Sequence, residues 1–317
     1  MVADKEKLPT EIDRLIERFL EDLEVGRNYS PLTLRNYRHY LGRFSSWLRK
    51  NFPKATLSSI NLEIIKRYRI FLARFTIPND ITLSRSTQSY HVIALRSFFK
   101  WLVKNDYRII APEKIDLPKG ESRSLKFLTT DQIARLLAQP KISDPRGLRD
   151  KAILETLFST GLRVSELVKL NRDQIDLKRR EFGVVGKGGR ARVVFLSPTA
   201  AKWLRKYLSL RVDSWKPLFI RWPGKNLRIV DGEKMRLSVR SIQRIVKRYV
   251  RKAKLPIDAT VHTLRHSFAT DLLMAGADIR SVQEMLGHKN IATTQIYTHV
   301  TNRRLRQVHE TFHRKGE

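Results

Sequence analysis

Six residues in the second half of the chain have types and flanking sequences suited to one chemistry. Arg163 stands in Thr-Gly-Leu-Arg-Val-Ser-Glu-Leu and Lys187 in Val-Gly-Lys-Gly-Gly-Arg. His262 and Arg265 share His-Thr-Leu-Arg-His, His288 closes Met-Leu-Gly-His, and Tyr297 lies in Ile-Tyr-Thr-His. Guanidinium groups grip the non-bridging oxygens of a phosphate through paired, charge-assisted hydrogen bonds. A phenol with a free pKa of about 10 is a poor nucleophile unless a base and a cationic pocket accompany it. Two arginines, a lysine and two histidines ahead of one tyrosine supply both, and the set fits attack on a phosphodiester.

The elements that must hold these groups are legible around them. Thr129-Thr130-Asp131-Gln132 has the spacing of a capping box. Leu148–Ser159 reads as a helix stopped by Gly161, and Arg163 opens another. Glu166 follows three residues later, placed either to orient Arg163 or to form a simple intrahelical ion pair with it. The period then changes. Glu181–Gly186 and Arg190–Leu196 are β-like runs around Lys187-Gly188-Gly189, a hairpin with a glycine turn and Lys187 at its tip. Arg190 and Arg192 lie alongside, so a basic turn that only touches phosphate is the competing reading. Helices resume at Pro198–Leu210, Ser238–Lys252, His262–Ala275 and Asp278–Leu286. His262 and Arg265 are one helical turn apart and are expected to face the same way. His266 and His299 flank these residues without an evident role, and His266 is expected to pack. Pro223–Lys234, rich in glycine and charge, reads as a surface loop.

The first third of the chain is helical in pattern. Glu11–Val25 carries Ile12, Leu15, Ile16, Phe19 and Leu23 at helical spacing. Ser30-Pro31 supplies a cap and a first-turn proline for a helix with Leu34, Tyr37, Leu41, Phe44 and Leu48 on one stripe. Arg35, Arg38, His39 and Arg43 lie off that stripe, and the arginines are candidates for phosphate contact. Asn61–Phe75 and Ser86–Lys104 repeat the scheme, the latter with Tyr90, Ile93, Phe98, Trp101 and Leu102. A bundle of about four helices follows. Pro112–Arg123 reads as the linker to the second segment.

Order, spacing and flanking residues of the six resemble the tyrosine recombinase (phage integrase) family, in particular its Xer-like members. The resemblance covers nearly the whole chain, with weaker signals in Ser-Pro-Leu-Thr-Leu and Phe-Phe-Lys-Trp-Leu of the first part. It implies a mainly α protein of two domains. Residues 1–118 would be a four-helix, SAM-like core-binding domain that clamps DNA. Residues 119–317 would be a mixed α+β catalytic domain with a small antiparallel sheet. It implies further that Arg163 and Arg265 hold the scissile phosphate, His262 assists proton transfer and His288 donates a hydrogen bond to it. Lys187 would be the general acid for the leaving 5′-oxygen, and Tyr297 the nucleophile that forms a 3′-phosphotyrosyl link. The implied partner is double-stranded DNA with inverted-repeat half-sites. The implied assembly is a tetramer on two sites, of this chain alone or with a second related recombinase. Residues 301–317, where Leu305, Val308 and Phe312 make a narrow apolar stripe, would be an exchange helix that docks on a neighbouring protomer. No arm-binding domain of the lambda type is expected at the N-terminus. Resolution of chromosome or plasmid dimers and integration or excision of a mobile element both fit. A type IB topoisomerase and a non-catalytic DNA-binding protein are the more distant alternatives.

Composition agrees with this direction. The formal charge is +32 over 317 residues, with 22 Lys+Arg against 13 Asp+Glu in residues 1–120 and 41 against 18 in the rest. An excess present in both halves points to a polyanion spanning both, and nucleic acid suits it better than a membrane. No apolar run approaches the roughly 20 residues needed to span a bilayer, and no stretch at the N-terminus has signal-peptide character. The absence of cysteine removes disulfides and thiolate metal sites and fits a reducing, cytoplasmic setting. Gly186-Lys187-Gly188-Gly189 lacks the spacing of a nucleotide-binding P-loop, and no carboxylate cluster suits paired magnesium ions. His309-Glu310-Thr311-Phe312-His313 matches the His-Glu-x-x-His pattern of zinc peptidases, but so close to the end of the sequence it has no cleft to serve. Neither metal nor cofactor is expected.

Overall fold

Thr10 caps the first helix. Its hydroxyl accepts from the Asp13 amide, and the Asp13 carboxylate accepts from the Thr10 amide at 2.9 Å. The computed structural model describes residues 10–77, 81–117, 126–186, 189, 191–222 and 231–287. The chain divides into two compact units, Met1–Ser122 and Arg123–Glu317.

In the first unit α1 (Glu11–Val25), α2 (Pro31–Asn51), α3 (Leu62–Arg74) and α4 (Arg85–Lys104) form the expected four-helix bundle. Each start follows from a local signal: Ser30 caps α2 with Pro31 in its first turn, Asn61 caps α3 and Ser84 caps α4. A minimal antiparallel ladder, β1 (Thr76–Ile77) with β2 (Ile81–Thr82), joins α3 to α4 and had no sequence signal. Phe19, Leu41, Phe44, Tyr68, Leu95, Phe98 and Leu102 are at most 1% exposed and form the centre of the core. Complete burial of side chains of this size contributes roughly 1.5–3 kcal/mol each.

Two expectations for this unit need correction. The buried stripe of α4 is not the one containing Tyr90 and Ile93, which are 55% and 40% exposed. It runs through His91, Leu95, Phe98 and Leu102, whose steps of four, three and four residues fit the helix better. A histidine inside that stripe masked it. The linker also begins later than Pro112, because Pro112 and Ile115 are buried in the first unit through a short 3-10 turn.

In the second unit Thr129 and Gln132 form the expected capping box at the start of α5 (Thr130–Leu137). The central helix is α6 (Pro145–Thr160), buried along most of its length and ended by Gly161 in the left-handed conformation. A single-turn helix, α7 (Val164–Leu167), follows. Strands β3 (Glu181–Val185) and β4 (Ala191–Phe195) pair antiparallel, with Phe182 opposite Val194 and Val184 opposite Arg192. Helices α8 (Pro198–Ser209), α9 (Val239–Lys252), α10 (Val261–Ala275) and α11 (Ile279–Leu286) complete the described part. Of the stretch read as a surface loop, residues 223–230 lie outside the described residues, while its last residues enter a 3-10 turn, Gly232–Met235, that ends on the buried Met235 just beyond it. Among the described residues no helix is long and apolar enough to cross a membrane.

The buried charge of this unit centres on Asp150 of α6, which is fully buried. It accepts from Arg149 Nε at 3.0 Å and Nη2 at 2.7 Å, from Arg248 Nη2 at 2.6 Å and from the Tyr249 hydroxyl at 3.0 Å. These bonds satisfy the carboxylate and tie α6 to α9.

Candidate active site

The site grows from the end of α6. Gly161 adopts φ +59°, where a side chain is strained, and turns the chain so that Arg163 becomes the cap of α7. Glu166, three residues on, returns to this cap: Oε2 accepts from the Arg163 amide at 2.9 Å and Oε1 from Arg163 Nη1 at 2.8 Å. Both readings of Glu166 from the sequence therefore describe the same bonds. The Arg163 side chain stays 25% exposed, available to a ligand yet held in one orientation.

Glu166 also receives a second arginine. Arg192 of β4 donates from Nη1 to Oε1 at 3.1 Å and from Nη2 to Oε2 at 2.8 Å, a two-bond fork. Burial alone would push the Glu166 carboxyl up, but the bonds from Arg192 and from the amide and side chain of Arg163 outweigh it. They hold its pKa at about 2.

The third arginine arrives from α10. Arg265 is buried, and its Nη1 donates to Gly161 O at 2.6 Å and its Nη2 to Leu286 O at 2.5 Å. His262, in the first turn of α10, is exposed, whereas Arg265, one helical turn on, is enclosed. The two still act on each other. Desolvation by its surroundings lowers the His262 pKa, and the charges of Arg265 and Arg163 lower it further, so the ring is neutral at pH 7 and able to accept a proton. His266 is half-buried, as its packing role requires, and its pKa is lowered by burial and by His262 and Arg265.

All three arginines converge on one helix end. The last carbonyls of α11 accept from Arg192 Nε at Met285 (3.0 Å), from Arg265 at Leu286 and from Arg163 Nη2 at Gly287 (3.4 Å). Carbonyls at a helix C-terminus lack intrahelical partners and carry the negative end of the helix dipole, so cations stabilise them. Arg163 and Arg265 come together here from positions about a hundred residues apart. Lys187, His288 and Tyr297 lie outside the described residues. The described strands on either side of Lys187 in sequence do pair, with Val185 opposite Ala191.

In the sequence Arg192 reads only as a basic neighbour of Lys187. A signal was available: in β4 it shares a face with Val194, which is buried, so strand alternation places a charge on the inward side.

Comparison with known proteins decides the family. Residues 126–304 match the model of the phage integrase family, and residues 16–106 match the phage integrase N-terminal SAM-like domain. The chain belongs to the phage integrase family. It is 36% identical over 309 residues to tyrosine recombinase XerC of Pelotomaculum thermopropionicum, covering 95% of this chain and 98% of that protein. Among solved structures, the XerA recombinase is 30% identical, covering 96% of this chain and 100% of that chain, with a TM-score of 0.51. The XerH site-specific recombinase bound to palindromic difH substrate in a post-cleavage complex is 23% identical, covering 92% and 83%, with a TM-score of 0.68. That last likeness supports the fold alone.

Proposed function

We propose that this protein is a site-specific DNA recombinase of the Xer type, which cuts and rejoins duplex DNA to resolve joined chromosomes or plasmids. The observation that carries the reading is the arginine cluster at the end of α11, where Arg163 is held half-open beside an exposed, neutral His262. Such a cluster grips a phosphate from fixed positions, which lowers the reorganisation needed as charge builds during attack. In this reading Arg163 and Arg265 bind the scissile phosphate with a hydrogen bond from His288, and His262 takes part in moving the phenolic proton. Tyr297 Oη forms a bond to phosphorus while the bond to the 5′-oxygen breaks, and Lys187 gives that oxygen its proton. The product is a 3′-phosphotyrosyl link and a 5′-hydroxyl. A 5′-hydroxyl of a second strand reverses the step without ATP, because the ester's energy is retained.

DNA as the partner is supported by α9, whose sequence holds Arg240, Arg244, Lys247, Arg248, Arg251 and Lys252 and no acidic residue. All six are exposed, opposite a buried face of Ile242, Ile245, Val246, Tyr249 and Val250. Among the described residues only Arg248 of these has an ion pair, to Asp150. Like charges four residues apart destabilise a helix in isolation, and a polyphosphate removes that cost. We assign the first unit to clamping the duplex, with Arg35 and Arg43 as phosphate contacts.

The assembly we propose is a tetramer on two inverted-repeat sites, linked through residues 301–317. Its support is an apolar cleft of about 340 Å³ in the second unit, lined by Phe158, Val193, Phe195, Phe268, Leu272 and Met285. It matches the Leu305, Val308, Phe312 stripe in character.

The direct test uses a duplex selected for binding and nicked beside the scissile phosphate, run on a denaturing gel. The protein should form a covalent adduct and Tyr297→Phe should form none, while site binding is retained. An adduct that persists in Tyr297→Phe would place the nucleophile elsewhere.

A further inference from the structure

Arg192 ties together three parts of the site, its own strand and two others, through a single side chain that is 11% exposed. It is rooted in β4, where it pairs with Val184 of β3. Its Nη1 and Nη2 fork onto Glu166 of α7, and its Nε donates to Met285 O near the end of α11. Each of these anchors lies close in sequence to one of the proposed catalytic groups. Glu166 is three residues after Arg163, Met285 three before His288, and Arg192 five after Lys187. Gly287 completes the fit, since a Cβ there would lie 3.2 Å from Arg192 Cδ and 3.3 Å from Nη1, tighter than ordinary contact.

These contacts exceed what the fold alone needs from this residue. The strands already pair through their backbones, and Val184 and Val194 bury the inner face of the hairpin. A hydrophobic residue at position 192 would continue that face at lower desolvation cost than a buried ion pair. What only an arginine supplies is a rigid planar fork that fixes one element against two others in angle as well as distance. We propose that Arg192 is a positioning residue for the cleavage step: it locks the β3–β4 hairpin against α7 and α11 so that Lys187 is presented to the leaving 5′-oxygen. The inference rests on the recombinase reading and on the general-acid role of Lys187 within it.

The experiment separates proton donation from phosphate binding. In a duplex with sulfur in place of the bridging 5′-oxygen, the leaving group departs as a thiolate. A thiol pKa is about 8.5, so departure needs no proton. With the ordinary oxygen, the bond to the 5′-oxygen breaks only as a proton reaches it. Adduct formation is timed on both duplexes for the unmodified protein, Lys187→Ala, Arg192→Lys and Arg192→Gln, with binding affinity and melting temperature measured alongside. Displacement of a catalytic group by about 1 Å costs on the order of a hundredfold. Arg192→Lys, which keeps the charge and loses the fork, should therefore slow the oxygen duplex by about tenfold to a hundredfold. It should cleave the sulfur duplex at nearly the unmodified rate with unchanged affinity, and Lys187→Ala should show the same rescue. Equal slowing of both duplexes by the Arg192 variants would overturn the proposal and leave Arg192 a structural or phosphate-orienting residue. Failure of sulfur to rescue Lys187→Ala would overturn it as well. If the unmodified protein forms no adduct on either duplex, the recombinase reading itself fails, which is a distinct result.

Discussion

Gly161 lies against the edge of the Phe268 ring: a Cβ built on it would sit 2.5 Å from Phe268 Cδ1 and 3.1 Å from Leu286 Cδ2. Its φ of +59° is also disfavoured for any residue with a side chain. The turn that delivers Arg163 is therefore closed to substitution by space and by backbone conformation together. Gly161→Ala should destabilise the protein by about 2 kcal/mol or more, lowering the melting temperature of the second unit by roughly 4–8 °C. Gly183→Ala is the control, since nothing lies within 4 Å of a Cβ there. Equal melting temperatures for the two variants would contradict the packing account.

Glu166 carries a second prediction, through acid stability. Its folded pKa of about 2 lies below the ordinary 4.5, so its contribution is fully present above about pH 4.5 and is lost as pH falls towards 2. The shift corresponds to about 3 kcal/mol. Glu166→Gln should lose about that much at pH 7, and the gap to the unmodified protein should narrow progressively as pH falls from 4.5 towards 2. Denaturant titrations at pH 7, 4 and 3 measure it, and a gap that is constant with pH would refute the ion-pair origin.

His91 makes the corresponding statement for the first unit. It is 1% exposed, close to Arg43 Nη1 (3.5 Å) and to the Tyr68 hydroxyl (3.3 Å). Burial, and then the charge of Arg43, lower its pKa to about 4. A histidine with a folded pKa below 6.5 stabilises the fold fully above that pH and progressively less as pH falls towards 4. Melting temperature should therefore drop between pH 7 and 5 more steeply in the unmodified protein than in His91→Gln. Parallel curves would show that the buried ring is not the group responsible.

Salt and chelation test the electrostatics. Binding to duplex DNA should weaken steeply with salt, and the joint change Arg244→Ala with Lys247→Ala should reduce the log–log slope by about two. Cleavage should persist in excess EDTA without nucleotide, because fixed cations stabilise the developing charge. Loss of cleavage on chelation, restored by zinc or magnesium, would replace this mechanism by a metal-assisted one.

Deletion of residues 301–317 should leave a folded protein that binds a single half-site but neither assembles cooperatively nor exchanges strands. Polar substitution of the cleft, Phe195→Ser with Leu272→Ser, should produce the same loss with the tail intact. Normal higher-order complexes on full sites after the deletion would sink the exchange model.

The elements were legible where local chemistry sets them. Ser30 with Pro31 and Thr129 with Gln132 announce helix starts that the structure reproduces. Period-2 runs around three turn residues gave the β3–β4 hairpin. Arg163 with Glu166 was readable because three residues separate them. Long-range choices were not. Nothing near His91 reveals that a polar ring belongs inside, so the sequence puts Tyr90 and Ile93 on the α4 stripe with Phe98, Trp101 and Leu102, and only the last three are buried. Nothing near Arg265 reveals that its partners are Gly161 and Leu286, and the enclosure of that guanidinium appears only when three distant segments meet.

The carbonyl of Leu286 and the guanidinium of Arg265 also impose an arithmetic on the chain between them. From Arg265 to Ala275, α10 runs about 15 Å away from the site, and from Ile279 to Leu286, α11 returns roughly 10 Å, at about 1.5 Å per residue. Gly276, in the left-handed conformation at φ 110°, makes the reversal. One residue more or fewer within α11 would rotate its final carbonyls by about 100° and carry Met285, Leu286 and Gly287 away from three arginines at once. Substitutions on the outer faces of these two helices are free to accumulate, whereas their lengths are not. The interval between the His-Thr-Leu-Arg and Leu-Gly-His sequences is thus a ruler, and an insertion there should be more damaging than almost any exchange of side chains within it.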